Sequence, residues 1–109
     1  MTIKHRIRCF DSEVLVCAAD RAYNVNIQTT SNPLGFGRTL AAFETLESAV
    51  EAAEHFCLAY RIAKEHGYYL KDNELVRHER EPIAVRWVME RRWSGEEWIE
   101  VLTRGAGVR

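Results

Sequence analysis

The sequence predicts an α+β fold: an antiparallel sheet of about five strands with one long helix packed across one face, in the order β-β-β-α-β-β. Three observations carry that expectation. Residues 45–67 form the single long stretch with a helical period. The segments before it are short, apolar or alternating, and separated by turn residues. Residues 83–102 read as a β-hairpin closing at Ser94-Gly95.

The helix is the best-defined element. Thr45 suits the N-cap, where its hydroxyl accepts from a backbone N–H of the first turn that has no intrahelical partner. Glu47, Glu51 and Glu54 load the N-terminal half, while Lys64 and His66 sit in the last turn, as the helix macrodipole favours. Gly67 supplies the left-handed residue that ends the helix. Leu46, Ala49, Val50, Ala53, Phe56, Cys57, Tyr60 and Ala63 recur at i, i+3 and i+4 and predict the stripe facing the sheet. Leu58, Ala59 and Ile62 fall off that stripe. A helix apolar on two sides buries both, against the chain that follows Gly67 or against a second copy.

Ile3 to Phe10 alternates, with Lys4, Arg6 and Arg8 giving a basic outer face. Asp11-Ser12 marks a turn, and Glu13 to Ala18 a second strand paired back on the first. Tyr23, Val25 and Ile27 alternate with Asn24, Asn26 and Gln28 in a third. Residues 29–38 read as a loop around Asn32-Pro33, with Phe36 between two glycines, and Arg38 to Phe43 as a short strand or extended link. After the helix, Tyr68 to Leu70 and Glu74 to His78 flank a turn at 71–73. In the expected hairpin, Val85, Trp87, Met89, Trp98 and Leu102 share one face and Val88, Ile99 and Val101 the other. Residues 1–103 are expected to form a single domain and 104–109 a flexible tail.

A formal charge of -1 gives no strong overall field towards nucleic acid. The distribution is uneven: residues 40–60 carry four glutamates and no lysine or arginine, whereas the first strand is basic. Three cysteines, all in apolar surroundings, fit a reducing compartment, and with no apolar run of membrane-spanning length the expected location is cytoplasmic.

No residues carry a trusted catalytic or metal pattern. There is no CxxC and no HExxH, and His55 and Cys57 at i, i+2 point away from each other on a helix. No cofactor is expected, and the chain reads as a small non-enzymatic interaction or regulatory module. It would act through protein–protein contacts and self-association, as a homodimer or with another protein, using Leu58, Ile62, Phe36, Val88 and Ile99. One alternative is a nucleic-acid-binding domain using the sheet and the C-terminal hairpin, with Arg91, Arg92, Trp93 and Trp98 as contacts. Another is a small-ligand or enzymatic domain with a pocket between helix and sheet, near Tyr60, Tyr68 and Phe36.

Overall fold

The computed structural model describes residues 2–29, 37–91 and 94–104. Its four first strands, β1 (Thr2–Cys9), β2 (Ser12–Ala19), β3 (Ala22–Thr29) and β4 (Arg38–Phe43), form an antiparallel meander in sequence order. The long helix α1 (Leu46–Glu65) follows and packs on this sheet. A second, three-stranded sheet holds β5 (Tyr69–Lys71), β6 (Glu74–Val76) and β7 (Ile83–Ala84), and the chain ends in α2 (Val85–Arg91) and α3 (Gly95–Arg104).

The α+β class and the helix across an antiparallel sheet are as the sequence predicts. Thr45 caps α1, its Oγ1 accepting from the Ser48 backbone N–H at 3.1 Å. At the other end Gly67 has φ +86°, which lets the Tyr68 N–H turn back onto the Ala63 carbonyl at 2.9 Å.

Strand alternation decides what α1 covers. Glu13 pairs with Gln28, Leu15 with Asn26 and Cys17 with Asn24, so Val14, Val16, Val25 and Ile27 share the helix side. They meet Ala49, Ala53, Phe56 and Ala63 in one buried core. The alanines let the backbones approach, and Phe56 fills the wider end. By the same alternation Leu15, Cys17 and Asn26 lie on the other face, and they too are buried. A bulge between Ile3 and His5 makes Lys4 the extra residue of β1.

The C-terminal hairpin expected over 83–102 does not form. Val85, Val88 and Met89 are buried at i, i+3 and i+4 on α2, and Trp98 and Leu102 at i, i+4 on α3. Those spacings fit a helix as well as the alternation fits a strand. What separates them is the segment beginning at Ser94, a capping box. The Glu97 N–H donates to Ser94 Oγ at 3.3 Å, and the Ser94 N–H donates to Glu97 Oε1 at 3.0 Å. The main sheet therefore has four strands, and the short extra strands belong to the second sheet.

The two helices solve the problem of the second apolar side of α1. Ile62 is buried and Leu58 half-buried next to the start of α3, where a Cβ added at Gly95 would lie 3.5 Å from Ile62 Cδ1 and 3.9 Å from Leu58 Cδ1. Trp98 packs edge-to-face against Trp87, with centroids 5.7 Å apart.

Asn73, in the turn between β5 and β6, ties the two halves together. Its side-chain N–H donates to the Leu40 carbonyl at 3.3 Å, its side-chain oxygen accepts from Arg38, and its backbone carbonyl accepts from the Val85 N–H at 2.9 Å.

Candidate functional site

The strongest polar cluster joins the β1–β2 turn to the C-terminal half of α1. Tyr60 and Lys64 are four residues apart, so they project from one helix face. Tyr60 stacks on Phe56, with centroids 5.5 Å apart, which aims its hydroxyl at the turn. That hydroxyl donates to Asp11 Oδ1 at 3.0 Å, and Ser12 Oγ donates to the same oxygen at 3.0 Å. Lys64 Nζ lies 3.5 Å from Asp11 Oδ2 and 5.6 Å from the centroid of the Phe10 ring.

Phe10 holds φ +56° and is 58% exposed. A bulky residue in the left-handed region is strained, and that strain persists only where neighbours impose it. Here the adjacent Asp11 is fixed by three donors.

These groups open onto a cleft of about 360 Å³. Asp11, Ser12, Tyr60 and Lys64 form one side. Ile27, Gln28 and Arg38 come from the sheet, and Tyr69 and Leu70 from β5. Gly37 sets where Arg38 begins β4. Its φ is +74°, and a Cβ there would sit 2.5 Å from the Ile27 carbonyl oxygen.

The electrostatics follow from the packing. Burial pushes the Asp11 carboxyl up, but the hydrogen bonds from Ser12 and Tyr60 and the Lys64 charge more than offset it, so its pKa lies below the ordinary value of 3.8. Burial, and then Asp11, push the Tyr60 phenol up to about 12. On the far face, the hydrogen bond from Gln28 Nε2 at 3.1 Å, together with Arg6, holds the Glu13 carboxyl below its usual range. The Cys9 thiol is pushed up by its contact with Cys57 and by burial, and burial pushes up Cys17.

These shifts set a pH dependence with a definite sign. The folded pKa of Asp11 is depressed, so its contribution is complete above the unfolded value and is lost as pH falls through the folded one. Tyr60 is raised from 10.0 to about 12, so its contribution is complete below pH 10 and is lost as pH rises towards 12. In urea titrations across pH, Asp11→Asn is expected to flatten the acid limb. An acid slope equal to that of the parent protein would show that Asp11 is not held as described.

The residues singled out from sequence differ in exposure where they are described. Ile62 and Val88 are buried, Leu58 is half-buried and Ile99 is 45% exposed. Phe36 lies outside the described residues, as do Arg92 and Trp93. Arg91 stacks over the Trp87 ring at 4.5 Å, and Trp98 is in the core. Of the residues expected around a helix–sheet pocket, Tyr60 lines the cleft and Tyr68 is buried. Sequence reasoning missed Asp11, Lys64 and Arg38. The Asp-Ser turn and the i, i+4 Tyr60–Lys64 spacing were visible, but not that a turn 49 residues away meets them.

Among the described residues no three His, Cys, Asp or Glu converge on a point able to hold a metal ion. No helix among them is long and apolar enough to cross a membrane. Comparison with protein-family models, curated proteins and solved structures finds no match.

Proposed function

We propose that the chain is a non-catalytic binding module whose cleft between α1 and the end of the four-stranded sheet takes a small organic anion. The observation that carries this is the charge balance of the cleft. Two cations, Arg38 and Lys64, line it with a single carboxylate, Asp11, whose oxygens already accept from Ser12 and Tyr60 and face Lys64. A guanidinium has five N–H donors. Arg38 places one on Asn73 and keeps others for a carboxylate or phosphate. Ile27, Leu70 and the half-exposed ring of Tyr69 offer an apolar seat for the ligand's body. A space of about 360 Å³ is the size of a small-molecule site.

The same shifts argue against acid–base catalysis here. Asp11 stays ionised and Tyr60 protonated at neutral pH, so neither is poised to exchange a proton near pH 7.

Calorimetric titration with benzoate, benzamide and benzylamine tests the reading. Benzoate is expected to bind, and its neutral and cationic counterparts are not. Arg38→Met and Lys64→Met should each weaken benzoate roughly tenfold or more, the worth of a charge-assisted hydrogen bond. Equal binding of benzamide, or no response to either substitution, would remove the proposal.

A further inference from the structure

A second surface, independent of the cleft, lies along β1. This strand is one of the two outer strands of the main sheet, eight residues long, and among the described residues nothing pairs with its free side. An unpaired edge presents a row of backbone N–H and C=O groups able to take another strand. Its side chains alternate sharply: Lys4, Arg6 and Arg8 are exposed, and Ile3, His5 and Ile7 are half-buried. Phe10, 58% exposed, closes the row at the turn.

We propose that the free edge of β1 receives an extended acidic segment of another protein by strand addition. Alternate residues on an added strand repeat about every 6.8 Å, the spacing of Arg6 and Arg8 themselves. Carboxylates at alternate positions therefore meet the two guanidiniums in register, and an apolar residue at the end of the segment covers Phe10. Glu13 is ion-paired with Arg6 and lies opposite Arg8 in the register, and this one carboxylate set against Lys4, Arg6 and Arg8 leaves net positive charge along the strand.

The charge pattern also selects against other occupants. A second copy pairing β1 against β1 would set arginine opposite arginine or lysine, a repulsive arrangement in an antiparallel pair. The bulge at Lys4 further discourages flat self-pairing. Nucleic acid would satisfy the cations, but it would leave the edge N–H and C=O groups without partners. A polypeptide satisfies both the charges and the backbone.

The test uses the full chain and a labelled eight-residue peptide with glutamate at alternate positions, valine and threonine between them, and leucine at one end. Its lysine-for-glutamate counterpart and an oligo-dT strand serve as comparisons. The acidic peptide is expected to bind, to weaken as salt rises, and to slow amide exchange along β1. The double substitution Arg6→Glu with Arg8→Glu should weaken it more than about tenfold while circular dichroism stays that of the parent. Phe10→Gly, which relieves a strained φ, should raise the melting temperature and still weaken the peptide. Binding of the lysine peptide as tightly as the acidic one, tighter binding of oligo-dT, or unchanged exchange along β1 would overturn the proposal.

Discussion

Replacing Phe56 with alanine is expected to cost about 3–5 kcal/mol of unfolding free energy. The ring is fully buried where α1 meets the sheet. Around it are packed strand residues and the neighbouring Tyr60 ring, all held by elements that cannot collapse far into the space left behind. Urea unfolding followed by circular dichroism gives the measurement, and the midpoint should fall with little change in slope. The loss should also reach the cleft, because Tyr60 stacks on Phe56 and carries the hydroxyl that holds Asp11. A cost below about 1 kcal/mol would be that of a surface position, and it would mean that α1 is not seated on the sheet as described.

Gly37→Ala is expected to be the second costly change, for a different reason. Alanine at φ +74° carries roughly 1–3 kcal/mol of backbone strain. The added Cβ would also press on the main chain of β3, 2.5 Å from the Ile27 oxygen and 2.8 Å from its carbon. Relieving that overlap by shifting backbone adds roughly 1–3 kcal/mol. Gly67→Ala is the matched comparison. Its φ of +86° is equally unfavourable, but a Cβ there meets only the side chain of Arg77, at 3.4 Å. Chemical unfolding of the two variants side by side should therefore show the larger loss at Gly37. Equal losses would mean that the approach of Gly37 to β3 is looser than described. The shift at Gly37 would also move Arg38, so the same variant should bind benzoate less well.

Much of the architecture was legible in the sequence because local signals agreed with the tertiary packing. Thr45 and Gly67 bracket α1, and the alanine–phenylalanine stripe points at the sheet. Val25 and Ile27 alternate with polar residues in the sequence, whereas the continuous run Val14 to Cys17 is buried on both faces, and its register with β3 decides that Val14 and Val16 meet the helix. The C-terminal quarter was not legible in the same way. Its apolar residues satisfy two periods at once, and the deciding feature was the reciprocal pair Ser94 and Glu97 rather than the alternation of Val85, Trp87 and Met89. The surplus apolar side of α1 was visible in Leu58 and Ile62, but what covers it depended on reading α2 and α3 as helices. The cleft was the least legible part. Its chemistry depends on Asp11, Arg38 and Lys64 meeting from three separate elements, and no spacing along the chain encodes that meeting.

Asn73 has a consequence for how the molecule comes apart. One small amide in a short turn serves β4 at one edge of the large sheet, the guanidinium at the mouth of the cleft, and the first residue of α2. Aspartate in its place would lose the N–H that grips Leu40 while keeping the oxygen that faces Arg38. The seam between the two halves of the protein then runs beside that residue, and a single amide-to-acid change would shift its grip from Leu40 towards Arg38, whose bond becomes charge-assisted, without touching the ring stack beneath α1.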